Sequence, residues 1–289
     1  MGNNFQAKVI EDSSSPNGKR ITTMQLRYPR FVHAEFMTHR VFSRNASSSR
    51  AIPVKKMLAQ VWNDPAMPIH WGANIPGMQA KDQLTGWRLK LAKKVWKLSG
   101  RAMCCAAWVF MKVGLHKQVA NRILEPWQYI SVVVTSTEWE NFFALRDHPD
   151  AQPEIRALAQ AMKIARGTST PNRLNYGEWH LPYVSERERQ CFALQYLLKM
   201  SAARCARTSY NNHDGTTPEL AKDIQLHDDL VYAEPMHASP TEHQATPDYV
   251  RNDRDDRWEC RELHGNLNGF IQYRKQLELQ IFHNKGALQ

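Results

Sequence analysis

Residues 39–50 read His-Arg-Val-Phe-Ser-Arg-Asn-Ala-Ser-Ser-Ser-Arg, with three arginines, four serines, a histidine and an asparagine among only three apolar side chains. Such a run is poor core material and good anion-binding material. Serine hydroxyls and backbone N–H groups can wrap a phosphate, and guanidinium forks can clamp it. A polar, serine-rich surface loop would have the same composition, and composition alone does not choose between the two. His39 by itself is more often a structural histidine; it gains weight from Arg40 and the hydroxyls that follow. The common nucleotide fingerprints are missing: no Gly-x-Gly-x-x-Gly follows a strand, and there is no Walker loop. A Gly-x-Ser-x-Gly elbow is missing too. His237-x5-His243 and Cys260-x3-His264 lack the spacing of a zinc finger, so no metal site is expected.

Several elements must hold this stretch in place. Residues 21–28 carry β-branched side chains and read as a strand; residues 31–38, after Pro29, read as one to two helical turns leading into the loop. Residues 11–18 are turn chemistry and residues 63–79 a long connection. Residues 82–101 read as an amphipathic helix. Leu84, Trp87, Leu91, Val95 and Leu98 would face a core, with Lys90, Lys93, Lys94, Lys97 and Arg101 solvated or against a nucleic acid or membrane surface. Residues 103–113 read as a buried helix ended by Gly114, and residues 117–124 as a short one stopped before Pro126.

Residues 129–137 read as a buried strand and residues 138–146 as a helix. Asp150 is expected to cap the next helix, with Pro153 in its first turn and Ile155, Leu158, Ala159 and Met162 as its apolar stripe. Residues 167–175 read as a polar connector. Ser185-Glu-Arg-Glu188 is a capping box opening a long helix toward Arg207. Thr217-Pro218-Glu219 opens another, with Leu220, Ile224 and Leu230 inward. Residues 233–257 read as loop, and Phe270, Ile271 and Tyr273 as the last apolar cluster before a frayed tail.

Composition bounds the partners. The chain has 289 residues, 42% hydrophobic and 23% charged, as in an ordinary globular protein. No run approaches the ~20 apolar residues that cross a bilayer, and the first residues lack the apolar core of a signal peptide. Five cysteines, with Cys104 and Cys105 adjacent, do not suggest a disulfide framework. A reducing, cytoplasmic setting is expected, with no membrane partner. The net charge of +10 calls for an anionic partner, either nucleic acid or a nucleotide or phosphorylated cofactor.

Thr38-His-Arg-Val-Phe-Ser-Arg-Asn-Ala-Ser-Ser-Ser-Arg50 resembles the signature loop of flavin-dependent thymidylate synthases, which runs Arg-His-Arg and then Ser, Asn, Ser and Arg at fixed offsets. Arg122-Ile-Leu-Glu-Pro126 resembles the family's Arg-x-x-x-Pro. Asn141-Phe-Phe-Ala-Leu-Arg146 and Ala151-Gln-Pro-Glu-Ile155 resemble its Asn-Phe-x-x-Leu-Arg and Ala-Gln-x-Glu-Ile. Ala206-Arg-Thr-Ser-Tyr210 and Ser239-Pro-Thr-Glu-His243 resemble Ala-Arg-x-Ser-aromatic and Ser-Pro-x-Glu-His. In most of the family these last two precede the signature loop; here they follow residue 200, which reads as a circular permutation like that of a phage member. Surface termini lying close together tolerate such rearrangement.

The resemblance implies a mixed α+β fold, an antiparallel sheet flanked by helices. It implies one domain over residues 1–289, with 81–115 a helical insertion and 200–275 the permuted segment. It implies transfer of a one-carbon unit from methylenetetrahydrofolate to C5 of dUMP, with FAD supplying hydride and NADPH reducing the flavin. By similarity His39, Arg40, Asn45, Asn141, Ser209, Glu242 and His243 would contact or support FAD. Glu35, Ser47, Ser48, Ser49, Arg50, Arg122 and Arg146 would bind the nucleotide, with Ser48, Arg146 and His39 closest to the chemistry. The family is a homotetramer with sites shared between subunits, and no nucleic acid is required. Departures are Thr38 for the first arginine, Ala46 for an acid or amide, Ala51 for a tyrosine, Asp150 for a frequent histidine, and a short 135–140 segment without the family's Asn-x-Arg pair. They leave open a sister reaction, methylation or hydroxymethylation of dUMP or dCMP. A basic nucleic-acid-binding protein is the alternative of a different class.

Overall fold

The structure is a computed structural model, and it describes residues 5–76, 80, 82–208, 216–252 and 257–286. Strands β1 (Gln6–Ser14) and β2 (Arg20–Pro29) form a hairpin, so most of the expected loop 11–18 is strand. Only the turn at residues 15–18 remains, closed by Ser15 N–H donating to the Lys19 carbonyl (2.8 Å) with Gly18 at φ 76°. A 3-10 turn (Arg30–Val32) and α1 (His33–Phe36) follow, as the spacing predicts. Strand β3 (Ser43–Ala46) lies inside the presumed loop, and α2 (Val54–Asn63) comes next.

The expected helices at 82–101 and 103–113 are one continuous helix, α3 (Gly86–Lys112), and its orientation reverses the expectation. Trp87 is 70% exposed and Leu91, Val95 and Leu98 are each 50% exposed. The face turned inward carries the small residues Gly100, Cys104 and Ala107. They allow a close approach to α2 and Trp127; a Cβ on Gly100 would lie 3.0 Å from the Trp127 ring. Backbone proximity has thus outranked side-chain size in choosing the buried face. No Asp or Glu occurs between Asp82 and Glu125, so this flank is wholly basic.

Helix α4 (Lys117–Ala120) leads to a 3-10 helix (Arg122–Trp127) that runs through Pro126 rather than stopping before it. Strand β4 (Tyr129–Ser136), α5 (Glu140–Arg146) and α6 (Pro153–Gly167) match expectation, except that Gln152, not Asp150, is the residue before α6. The connector 167–175 contains β5 (Asn172–Arg173). The Ser185–Glu188 capping box is present, but it opens only the short α7 (Glu186–Cys191); the chain extends at Phe192 and Ala193 before α8 (Leu194–Arg207). Then come α9 (Leu220–Val231), a 3-10 turn (Ser239–Glu242), β6 (Ala245–Pro247), β7 (Val250–Asn252), β8 (Arg257–Trp258) and β9 (Phe270–Gln272). Residues 233–257 are therefore not all loop, and the tail begins with helix α10 (Tyr273–Gly286) rather than fraying at once.

The result is a mixed α+β fold built on a five-stranded sheet, order β3-β4-β2-β1-β5. All pairings in that sheet are antiparallel except β1 with β5. Strand alternation gives the sheet two unlike faces. Met24, Leu26, Tyr28, Val132 and Val134 pack with Phe36, Trp139, Phe142 and the α6 stripe Ile155, Leu158, Ala159 and Met162. The opposite face carries Thr23, Thr135 and Ser43 side by side across β2, β4 and β3, all fully buried. The C-terminal half covers this polar face.

Within that half, the inward face of α9 carries Asp223, His227 and Val231 rather than the expected row of Leu220, Ile224 and Leu230. Leu220, Ile224 and Leu230 are only partly buried, whereas Asp223 is fully buried. Asp223 accepts from Arg204 Nε (3.0 Å) and from Arg207, and Arg204 also reaches Glu188 (2.7 Å) and the Tyr183 carbonyl (2.7 Å). Removing one member of such a network strands buried charge. Asp223→Ala is expected to lower unfolding free energy by roughly 3 kcal/mol or more, as read from urea midpoints at constant slope.

Candidate functional site at the β3 edge

Strand β3 divides the 39–50 stretch into three parts, and each part has its own partners. Pairing with β4, Ser43 opposite Thr135 and Asn45 opposite Val133, fixes the register. Residues before the strand meet α5, residues after it meet the 121–125 turn, and the strand's inner face meets the segment after α9.

Before the strand, Arg146 at the last turn of α5 gathers three groups. Its Nε donates to His39 Nε2 (2.8 Å), its Nη2 to Thr38 Oγ1 (3.4 Å), and it forms a salt bridge with Glu35. His39 therefore offers a lone pair at Nε2. Burial, then the positive charges of Arg146 and Arg44, push its pKa below the ordinary value and keep it neutral. Its ring stands edge-on to Phe142, centroids 4.8 Å apart. Glu35 and Arg146 line an open cleft of about 1160 Å³ that also includes His70, Gln152 and Arg156. Glu35, His39 and Arg146 are thus brought together.

After the strand, residues 47–52 form a tied loop. Ser47 extends the sheet: its N–H donates to the Ser131 carbonyl (2.8 Å) and its Oγ accepts from Ser131 N–H (3.2 Å). The buried Asn121 carboxamide donates to the carbonyls of Ser49 (2.7 Å) and Ile52 (3.0 Å). Ser49 Oγ reaches Glu125 (3.5 Å), which also meets Arg122 (2.9 Å) and Arg30 (3.1 Å). Ser48, Arg50 and Arg122 project outward, exposed. Two guanidinium groups on one carboxylate, with Arg50 exposed next to Ser49, leave a net positive curve, suited to a phosphate. Asn121 was missed by sequence reasoning; its place immediately before Arg122 was the one available signal.

On the inner face, Ser239–Glu242 packs against β3, and His243 Nδ1 is 2.8 Å from Thr135 Oγ1. Thr135 is the register partner of Ser43, so His243 lies one pair of residues from Asn45. His243 is fully buried, its Nε2 has no hydrogen-bond partner, and burial lowers its pKa to about 3. Glu242 is salt-bridged to Arg274. Arg40 and Asn141 stand exposed, outside these bonded groups, and Ser209 lies outside the described residues. His264 bonds Asp248 (2.8 Å) and Gly269 N–H (3.2 Å) as a structural histidine. Among the described residues no three His, Cys, Asp or Glu form a metal-binding group, and no helix is long and apolar enough to cross a membrane.

A β-strand edge offering a phosphate curve, a guanidinium–imidazole–carboxylate group and an unpartnered buried imidazole suits nucleotide chemistry. A family model described as thymidylate synthase complementing protein matches residues 11–171, and the chain belongs to that family. Membership makes it a thymidylate synthase-like enzyme. Two solved structures of the UMP/dUMP methylase PolB from Streptomyces cacaoi are similar to it, one bound with 5-Br UMP and one with 5-Br dUMP. Both are 16% identical and cover 56% of this chain, with 88% and 90% of their own chains covered and TM-scores of 0.47 and 0.48. No curated protein matches the sequence.

Asn121→Ala removes two buried bonds to carbonyls and should cost about 1–3 kcal/mol while speeding amide exchange across residues 47–52, measured by hydrogen exchange. Stability should also depend on pH. Burial holds His33 at about 4 and His243 at about 3, below the ordinary 6.5. The unfolded chain takes up these protons first, so their contribution is intact above pH 6.5 and is lost as pH falls toward 3. Glu11, raised by burial to about 7, acts oppositely: the fold keeps its proton longer, so stability declines as pH rises from about 4.5 to 7. Urea midpoints across this range should show a shallower acid limb in His243→Gln.

Proposed function

We propose that this enzyme transfers a one-carbon unit from methylenetetrahydrofolate to C5 of dUMP with FAD as its redox cofactor and NADPH as reductant. The observation that carries the reading is the meeting of residues 39–50 and 239–243 on β3 and β4, through the Thr135–His243 bond. It also supports the view that the segments after residue 200 are permuted relative to most of the family. The residues fit a flavin: a fully buried imidazole nitrogen without a partner, next to a buried asparagine, is a site asking for a polar ring.

His39, Asn45 and His243 would hold FAD, with Glu242 supporting His243. When bound, the flavin supplies hydride chemistry that amino acids cannot. The chain's residues do the rest. Ser48, Arg50 and Arg122 would bind the nucleotide phosphate through charge-assisted bonds. Arg146 would face the pyrimidine carbonyl and stabilise negative charge as C5 becomes nucleophilic, with Glu35 and His39 fixing its guanidinium plane. Among the described residues no cysteine lies in these three groups, which is consistent with a reaction needing no cysteine nucleophile. Arg40 and Asn141, exposed in the single chain, would complete a site across subunits of a homotetramer, and the exposed apolar stripe of α3 supports burial in such an assembly. The same site chemistry admits dCMP as acceptor and hydroxymethyl as product.

The decisive experiment offers the FAD-loaded enzyme methylenetetrahydrofolate and NADPH with dUMP or dCMP in separate reactions and weighs the products. A one-carbon mass gain on one nucleotide, with anaerobic bleaching of the yellow protein by NADPH, is expected. A colourless protein binding DNA with steep salt dependence would instead indicate a nucleic-acid binder. Arg50→Ala should weaken nucleotide binding by about 1.5–3 kcal/mol, measured by calorimetry. His39→Ala should lower flavin occupancy, read from the visible absorbance per protein.

A further inference from the structure

Five fully buried side chains form a chain of hydrogen bonds across the polar face of the sheet. Ser13 Oγ on β1 is 2.9 Å from His180 Nδ1, and His180 Nε2 is 2.8 Å from Thr23 Oγ1 on β2. Thr23 Oγ1 is 2.6 Å from Thr135 Oγ1 on β4, which is 2.8 Å from His243 Nδ1. Every member has 0% relative exposure. Burial keeps both imidazoles neutral, so each ring carries one N–H and one lone pair.

Each hydroxyl has a single proton, so the chain has two self-consistent arrangements. In the first, Ser13 donates to His180 Nδ1, His180 Nε2–H donates to Thr23, Thr23 to Thr135, and Thr135 to His243 Nδ1. His243 then carries its proton on Nε2. In the second, every bond is reversed, and His243 Nδ1–H donates to Thr135 while His180 Nδ1–H donates to Ser13. The second leaves the Ser13 O–H with no acceptor, since among the described residues the Ser13 hydroxyl bonds only His180. A buried donor without a partner is costly. The first leaves the His243 Nε2–H unsatisfied instead, so without a ligand each arrangement strands one buried donor; a ligand with an acceptor at Nε2 satisfies the first and does nothing for the second.

We infer that Ser13, His180, Thr23 and Thr135 form a relay that couples the tautomers of His180 and His243, and that an acceptor atom of the bound ring, a carbonyl oxygen or imine nitrogen, polarises it so that His243 presents Nε2–H to that atom. These four are positioning residues, and none touches the ligand. The choice of the Nε2–H tautomer rests on the flavin–nucleotide reading above; the coupling of the two rings does not. The acceptor could belong to an isoalloxazine or to a pyrimidine, and the two are separable by experiment.

The test uses the full chain labelled with nitrogen-15 histidine, with ring resonances assigned through His180→Gln and His243→Gln. In the ligand-free protein, long-range proton–nitrogen spectra should show the two histidines in the same tautomer, and with FAD and dUMP bound both should be Nε2–H with hydrogen-bonded Nδ1 acceptors. Opposite tautomers at the two rings, or an Nδ1–H tautomer at either ring with both ligands bound, overturn the relay. Thr135→Val should move the His243 Nδ1 resonance to that of an unbonded imine nitrogen and weaken binding at least tenfold; Thr135→Ser should restore both. Loss of affinity for FAD alone assigns the acceptor to the flavin, and loss for dUMP alone assigns it to the base. Unchanged binding of both by Thr135→Val, or failure of Thr135→Ser to restore it, overturns the presentation step. If Thr135→Val does not fold, the tautomers of the wild-type protein still decide the relay. If the wild-type protein binds neither compound, the functional reading fails while the tautomers still decide the relay.

Discussion

The pairing of β3 with β4 is the constraint on which the site depends. Four residues of β3 hold a register against β4, and that register assigns each part of the 39–50 stretch to a different neighbour. A slip of one residue would turn Ser43 and Asn45 toward the apolar core and Arg44 toward the polar face. The anchoring of Ser47 on Ser131 and the approach of His39 to Arg146 would be lost together. Local sequence supplies the chemistry, and one short edge strand supplies its alignment.

The sheet that carries β3 is asymmetric in an informative way. One face is a conventional apolar core against α5 and α6. The other buries threonines, serines and two histidines, with Gln244 and Gln272 nearby. Polar groups removed from water cost free energy unless bonded, and here nearly all are bonded to one another. Such a layer gives less adhesion than an apolar one but is directional. It specifies how the C-terminal half is set on the sheet, because a displaced half would leave several donors unsatisfied at once. The ionic cluster of Glu188, Arg204, Arg207 and Asp223 serves the same end farther out.

Much of this was legible in the sequence. Strands β2 and β4 and helices α5 and α6 follow from β-branched runs and from the Ile155–Met162 stripe, and the Ser185 capping box forms as its spacing predicts. The Glu35–His39–Arg146 group draws together residues that the family resemblance singled out. Errors arose where packing overrode periodicity. Side-chain size assigns the α3 stripe inward, yet Gly100, Cys104 and Ala107 permit a closer backbone approach. The inward side of α9 carries Asp223 and His227 beside Val231, and a search for apolar spacing passes over the first two. Strand β3 was hidden because its residues, Ser-Arg-Asn-Ala, lack strand propensity and owe their conformation to β4. Asn121 and the His180 relay join residues far apart in sequence, so no local pattern announces them.

The acid-free flank from Arg88 to Lys117, eight basic residues with no carboxylate between them, has a consequence for how the protein meets its surroundings. Its field is of one sign and lies beside the Arg30–Arg122 curve, so small anions are drawn toward that edge before any specific contact forms. Longer polyanions feel the same pull more strongly, since each added phosphate releases further counterions. In a solution crowded with RNA, the flank would therefore act as a weak reservoir for polymer, and the enzyme's encounter rate with its small substrate would be set by ionic strength and competing polyanions as much as by the shape of the site.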